Sequence, residues 1–379
     1  MVAKKESIQQ TTTGAWAASG TVTVLLDRIG LVTRYDLINR ITPSATLATN
    51  QPDGLFRPFR NIQILAGGFT YFALPDDAGG FGATLLHYLN LIDKLGVGHR
   101  GQGAIVAPQQ TYVPVKLTFH AGVRPKRRDG VDNPFDLTAF VPSGIESSPQ
   151  VTWTTGATLL MDDAVTTTSA VLNVKAHRVL GSTGEIQQEM ANQGVEDILQ
   201  MIRSGAEGIL ANPAATGLVP AWAGQIQSPT AVATNYSLLL DAQLGGFLKR
   251  VSFIAQDDTA DRPVRSSDEL TQINLRIPEK GITIIQTDSE SIGTEGPMGD
   301  VLGVDGVTDF GGACPTGIYP IDLRPYGPTT LEQIVGYDMR GRQTGYAQWG
   351  QTIGANATGD DIGALSERLL VYLGRLSNS

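Results

Sequence analysis

The segment that decides the fold of this chain is Tyr112-Val-Pro-Val-Lys-Leu-Thr-Phe-His120. Apolar and polar residues alternate along it, one set being Val113, Val115, Leu117 and Phe119 and the other Pro114, Lys116, Thr118 and His120. A period of two places successive side chains on opposite faces of a β-strand. The segment therefore predicts a strand with one face in a core and the other towards solvent or a neighbouring subunit.

Short strand-like runs with the same character lie on both sides of this segment. They cover residues 21–26, 29–41, 59–65, 135–141, 151–153 and 170–176. Glycine (44 residues) and proline (20 residues) separate the runs and are spread along the chain without a fixed period. This composition is typical of an all-β protein with many turns.

Two segments have helical spacing instead. Leu85, Tyr88, Leu89, Ile92 and Leu95 recur every three or four residues, which predicts a helix over about 83–95, inserted between strands. A second helical region is predicted to begin at the capping-box pattern Ser182-x-x-Glu185.

The second half of the chain repeats the pattern of the first. Residues 247–254 form a strand-like run comparable to 59–65, and residues 319–324 alternate and carry a proline as the segment at Tyr112 does. Since 379 residues exceed the usual size of one core, we predict two domains. The predicted organisation is a flexible N-terminal arm at 1–16, a first jelly roll at 17–181, a partly helical linker at 182–215 and a second jelly roll at 216–379.

The order of these elements resembles the double jelly-roll major capsid proteins of tectiviruses, corticoviruses and related bacterial and archaeal viruses. The resemblance rests on the strand at 59–65, the inserted helix, the proline-bearing strand at Tyr112 and the segment Asn133-Pro-Phe-Asp-Leu-Thr-Ala-Phe140, followed by a second such unit. It covers nearly the whole chain and is architectural, because no short motif marks this family.

The resemblance implies a structural protein of the virion. Three chains would supply six sandwiches and form a pseudo-hexagonal capsomer of an icosahedral shell. Its partners would be two further copies, neighbouring capsomers, penton and minor capsid proteins and, in many such viruses, an internal membrane. Neither a cofactor nor a small-molecule substrate is implied, and synthesis would take place in the host cytoplasm.

Composition agrees with such a role. Only 17% of the residues are charged, which suits a protein whose sides are covered by neighbours. The net charge of -9 argues against binding nucleic acid, and the densest basic run, Arg124-Pro-Lys126-Arg127-Arg128, ends in a turn signal and predicts an exposed loop. The single cysteine, Cys314, excludes an intrachain disulfide. No signal peptide or apolar run of membrane-spanning length is present, which predicts folding in a reducing cytoplasm.

Motifs that could carry chemistry all have simpler interpretations. Gly96-Val-Gly98-His-Arg-Gly101 matches a dinucleotide-binding pattern, but it follows a predicted helix where the motif requires a strand. The four histidines lack metal-site spacing and are assigned structural roles; they are His87, His99, His120 and His177. No catalytic, cofactor-binding or metal-binding residue is predicted.

An acidic group at Asp257, Asp258 and Asp261 is interpreted as a surface turn, with a calcium site as the alternative. Two other functions remain open at this point. A cupin-like or carbohydrate-active β-sandwich enzyme would need clustered His and Glu ligands or a specific carboxylate pair. A phage tail or receptor-binding protein would usually carry fibre-like repeats or a coiled coil.

Overall fold

The computed structural model describes about two fifths of the chain, and β-strands predominate in that part. The described residues are 4–12, 20–25, 31–43, 59–66, 69–73, 82–86, 113–120, 150–155, 167–180, 185, 188, 216–227, 236–239, 247–257, 264–265, 270–277, 282–288, 317–323, 337–338, 348–353 and 361–373.

Eight strands precede residue 181. They are β1 Lys4–Thr12, β2 Thr21–Leu25, β3 Leu31–Pro43, β4 Phe59–Ala66, β5 Phe69–Ala73, β6 Val113–His120, β7 Gln150–Thr155 and β8 Thr167–Leu180. One sheet has the order β1-β8-β3-β6, and the other four strands follow one another in the order β2-β7-β4-β5. Neighbours within each group are antiparallel.

The strands after residue 215 are β9 Thr216–Gln227, β10 Tyr236–Leu239, β11 Phe247–Asp257, β12 Val264–Arg265, β13 Leu270–Ile277, β14 Ile282–Asp288, β15 Ile318–Asp322, β16 Tyr337–Asp338, β17 Gln348–Ile353 and β18 Asp361–Leu373. Setting aside β12 and β16, which have two residues each, leaves eight principal strands. Their orders are β9-β18-β11-β15 and β10-β17-β13-β14.

The two sets of eight strands have the same topology. Numbered by position within its own set, each contains one sheet in the order 1-8-3-6 and one in the order 2-7-4-5. Eight antiparallel strands in two such sheets make a jelly-roll sandwich. The chain therefore folds into two jelly rolls, which we call the first roll (β1–β8) and the second roll (β9–β18).

A parallel strand pair joins the two rolls. Strand β5, at the edge of the first roll, pairs with β9, at the edge of the second, with Phe72 opposite Trp222 and Ala73 opposite Ala223. This pair makes one continuous ten-stranded sheet out of the 2-7-4-5 sheet of the first roll and the 1-8-3-6 sheet of the second.

Burial in β4 and β7, in the 2-7-4-5 sheet of the first roll, follows the period-two rule. Val151 and Trp153 of β7 are buried and the intervening Thr152 is partly exposed, and Ile62 and Ile64 of β4 are buried on either side of the partly exposed Gln63. A one-residue slip of such a strand would cost about 1.5–3 kcal/mol for each large apolar side chain that leaves the core. The register of these strands is therefore set by their apolar face.

The central strands of the second roll are buried on both faces. Every residue of β11 from Leu248 to Ala255 is buried, and so is every residue of β18 from Ile362 to Glu367. Alternation in the sequence of these strands is correspondingly weak, since neither face needs to be polar.

The predicted flexible arm at 1–16 is wrong in its central part. Residues Lys4–Thr12 form β1 and pair along their whole length with β8, from Lys4 opposite Leu180 to Thr12 opposite Leu172. The polar composition of this segment suggested a solvated tail, but an edge strand needs few apolar side chains because backbone hydrogen bonds hold it to the sheet.

The predicted correspondence between the two halves also changes. Strand β11 holds the third position of its roll and β4 the fourth, so they are not counterparts, whereas β6 and β15 both hold the sixth. Strands β5, β9, β10, β12 and β13 were not predicted as separate runs.

Helical structure is limited in the described residues. Residues 82–86, between β5 and β6, are helical and fully enclosed, with Leu85 and Leu86 at 0% exposure, and the rest of the predicted helix lies outside the described residues. Glu185 and Gln188, between the two rolls, are also helical. The predicted strand at 135–141 lies outside the described residues as well, and the exact domain boundaries stay a prediction.

Candidate functional site

A β-bulge on β11 places two cationic side chains opposite one carboxylate. Leu248 pairs with Arg368 and Arg250 with Glu367, so Lys249 is an extra residue in the ladder. A bulge of this kind sets two residues of one strand against one of its neighbour and redirects their side chains. The carbonyl of Lys249 accepts a hydrogen bond from the backbone N–H of Leu323, at 2.9 Å.

These three side chains form a buried charge cluster. Lys249 Nζ donates to Glu367 Oε1 at 2.7 Å, and Arg250 Nε donates to Glu367 Oε2. Their side chains are 2%, 3% and 1% exposed, respectively. Because charges taken out of water are costly unless they are paired and hydrogen-bonded, each member depends on the others. We call Lys249, Arg250 and Glu367 the triad.

The first roll has a hydrogen-bonded pair of titratable side chains between its corresponding strands. Asp36 of β3 and His177 of β8 lie 2.8 Å apart, from Oδ2 to Nε2. The Asp36 side chain is 3% exposed, but the His177 side chain retains 20% of its surface. This pair is therefore in contact with solvent on one side, unlike the triad.

A shared bulge allows the two clusters to be aligned residue by residue. In β3, Val32 pairs with Arg178 and Arg34 with His177, so the extra residue is Thr33, the third residue of its strand. Lys249 is likewise the third residue of β11. It follows that Arg34 corresponds to Arg250, Asp36 to Ser252 and His177 to Glu367.

The alignment exposes a sequence similarity that period-two analysis does not show. Thr33-Arg-Tyr-Asp-Leu-Ile38 lies over Lys249-Arg-Val-Ser-Phe-Ile254, and His177-Arg178 over Glu367-Arg368. We call the sheet face that bears Asp36, Lys175 and His177, or Arg250, Ser252 and Glu367, the charge-bearing face. The opposite, apolar face carries Tyr35 and Leu37 in β3 and Val251 and Phe253 in β11, all of them buried.

Both clusters lie on strands that are paired within a sheet, and this position restricts the chemistry that they could perform. Glu367 is enclosed, and both of its carboxylate oxygens accept hydrogen bonds from cations, which suits fixing the register of β18 against β11. The described residues contain no group of three His, Cys, Asp or Glu side chains that could hold a metal ion. Nor does any helix among them have the length and apolarity needed to cross a membrane.

Few of the residues weighed from sequence fall within the described part of the chain. Asp257 ends β11 opposite Val264, His120 ends β6, and His177 of β8 is the partner of Asp36. Outside the described residues lie Gly96–Gly101, Arg124–Arg128, His87, His99, Asp258, Asp261 and Cys314. The triad was missed, because Lys249 and Arg250 are adjacent and one of them is expected to face water in a regular strand.

Comparison with solved structures gives matches over nearly the whole chain. The STIV MCP matches 97% of this chain over 97% of its own length, with a TM-score of 0.61 and 15% sequence identity. It matches the atomic structure of Sulfolobus Turreted Icosahedral Virus with a TM-score of 0.62 and 15% identity, over 98% of this chain and 92% of the other. The PBCV-1 virus capsid matches at 0.56 and 11% identity, over 97% and 94%.

This chain has the double jelly-roll fold. The match covers the residues of both rolls. No protein-family model matches the sequence. No curated protein matches it either. The fold is thus recognisable at identities where the sequences have diverged almost completely.

Proposed function

We propose that this chain is the major capsid protein of an icosahedral virus, a building block of the shell and not an enzyme. The observation that carries the proposal is the duplicated 1-8-3-6 and 2-7-4-5 strand order, with the two rolls joined edge to edge. The STIV MCP and the PBCV-1 virus capsid support it, since the fold of this chain matches each of them over more than nine-tenths of their chains.

The proposed unit is a homotrimer. Each chain contributes two rolls of one topology, and three chains contribute six, which suits a pseudo-hexagonal tile. A sandwich leaves sheet edges that can be covered laterally by further copies, and a contact between unlike edges must close into a ring or it runs on into a fibre. Such a protein acts by assembling into a shell, and it makes or breaks no covalent bond.

The location and the partners of the protein follow from the proposed homotrimer. The trimer belongs in the virion, in contact with neighbouring capsomers, penton and minor capsid proteins, and with an internal membrane where the virus has one. The first proposed domain, 17–181 in the sequence prediction, is extended to include β1 at Lys4–Thr12, while the second remains 216–379 and the connection between them 182–215. No cofactor, small-molecule substrate or sequence-specific nucleic acid enters the proposed role.

Size-exclusion chromatography with light scattering tests the proposal directly. The purified chain is expected to elute with a mass of three times 40.3 kDa, or to form shells. Negative-stain micrographs of the same fraction are expected to contain hexagonal tiles. A stable monomer of 40.3 kDa that cleaves a glycan would overturn the proposal in favour of a β-sandwich enzyme.

A further inference from the structure

The joint between the rolls is an example, within one chain, of how one roll docks on another. It pairs β5, the fifth-position strand of the first roll, with β9, the first-position strand of the second. Both are edge strands of their own rolls. The contact is parallel and covers the two register pairs Phe72–Trp222 and Ala73–Ala223.

The duplication leaves a second pair of edges of the same two kinds. The fifth-position strand of the second roll is β14, and the first-position strand of the first roll is β1. Within the described part of the chain, β14 pairs with β13 on one side and β1 pairs with β8 on one side. Each therefore has its other side directed away from its own sheet.

Strand β14 matches β5 in local detail. Leu65 pairs with Thr70 and Ile64 with Phe72, so Tyr71 is bulged as the third residue of β5. In β14, Arg276 pairs with Thr283 and Leu275 with Ile285, so the third residue, Ile284, is bulged. The counterparts of Phe72 and Ala73, the residues that contact β9, are therefore Ile285 and Gln286.

Strand β1 can be matched to β9 through their common neighbour. Trp222 lies opposite Glu367 and Ala223 opposite Ser366. Ser7 lies opposite His177 and Ile8 opposite Ala176. Because His177 corresponds to Glu367, the counterparts of Trp222 and Ala223 are Ser7 and Ile8.

We propose that β14 of one copy pairs in parallel with β1 of a second copy, and that this contact repeats the β5–β9 joint between subunits. Ile285 lies opposite Ser7 of the partner subunit, and Gln286 lies opposite the partner's Ile8. The inference rests on the proposed homotrimer and specifies its interface. Because the contact joins unlike edges, it continues from copy to copy, and in the proposed homotrimer it closes into a ring of six rolls.

The composition of β14 supports a covered edge. Natural edge strands are usually protected from pairing by lysine or proline. Strand β14, Ile282-Thr-Ile-Ile-Gln-Thr-Asp288, contains neither and has three isoleucines. Its bulge does not prevent pairing, since β5 has a bulge at the same position and pairs with β9 immediately after it.

Engineered disulfides test this register. In a C314S background, which removes the native cysteine, the variant S7C/I285C is expected to give a covalent trimer on a non-reducing gel after mild oxidation. Adjacent strands lie about 4.8 Å apart, within the Cα separation that a disulfide spans. The matched control I8C/I285C is shifted by one residue, so its two Cβ atoms point to opposite faces and about tenfold less covalent product is expected.

A second variant, A73C/A223C, checks the intrachain template and is expected to form a disulfide within one chain. A native trimer in light scattering, without covalent product from S7C/I285C, overturns the inference and leaves the proposed function standing. Equal cross-linking of S7C/I285C and I8C/I285C overturns the register, and absence of the A73C/A223C bond removes its template. A monomer in light scattering overturns the proposed function itself.

Discussion

The third and eighth strands of the two rolls have the same frame but different chemistry. Both pairs contain a bulge at the third residue of the third-position strand, with an arginine immediately after it. The first roll places Asp36 against a partly exposed His177, whereas the second encloses Glu367 between Lys249 and Arg250. The same backbone frame therefore accommodates two different sets of polar side chains. The two rolls differ in how completely these side chains are buried.

A reciprocal exchange at corresponding positions is expected to give the largest effect. Lys175 is partly exposed on the charge-bearing face of the first roll, and its counterpart Leu365 is 0% exposed. Leu365→Lys should lower the free energy of unfolding by more than about 4 kcal/mol, because it buries a new charge. The matched exchange Lys175→Leu should change it by less than about 1 kcal/mol. Urea denaturation measures both, and similar losses would contradict the difference in enclosure.

Removing the shared carboxylate of the triad is the next largest perturbation. Glu367→Gln should lower the free energy of unfolding by about 3–5 kcal/mol, since Lys249 and Arg250 stay buried without their anion. Replacing all three by methionine should be less damaging than the single change, because the three buried charges of the triad are then removed together. Thermal and urea denaturation of both variants test this, and the opposite ranking would show that the triad itself supplies net stability.

The pair in the first roll should matter less. Asp36→Asn is expected to cost about 1–3 kcal/mol, the range for losing a hydrogen bond to a charged group, because solvent reaches His177. A double-mutant cycle with His177→Gln isolates the coupling, which should lie at about 0.5–3 kcal/mol. A loss as large as that of Glu367→Gln would remove the distinction between the two clusters.

The smallest effect is expected at Ser252, the counterpart of Asp36. Its hydroxyl is buried and makes no hydrogen bond in the described structure. Glu367, on the same face of the sheet, accepts hydrogen bonds from Lys249 and Arg250 instead. Ser252→Ala should therefore be neutral or stabilise the protein by up to about 1 kcal/mol. Val251→Ala on the apolar face of the same strand is the control and should be destabilising. A loss of stability in Ser252→Ala would reveal a hydrogen bond to that hydroxyl.

Sequence patterns predicted the strands that bury one face. Phe59–Ala66 and Gln150–Thr155 were located to within two residues at each boundary, because a half-buried strand must alternate. The strand Val113–His120 was located from the alternation of its sequence, to within one residue. The all-β class, with two jelly rolls, followed from the number and spacing of such runs. The fold class is confirmed by the strand orders and by the solved structures that match them.

Features that depend on pairing between distant strands were not predictable. Strand β1 has the composition of a tail and becomes ordered only by hydrogen bonding to β8, more than 150 residues later. The bulge at Lys249 carries no local signal, so the adjacent cations appeared half exposed. The clearest available signal was the similarity of the segments beginning at Thr33 and Lys249, which becomes evident only when the third strand of each roll is identified.

The short parallel joint between β5 and β9 has a mechanical consequence. Splaying the rolls apart would open the Phe72–Trp222 and Ala73–Ala223 pairs one after the other, as in peeling. Sliding one roll along the other would load both pairs at once, as in shear. At this joint the two rolls can tilt more easily than they can slip, and the proposed capsomer would need that compliance on a curved shell.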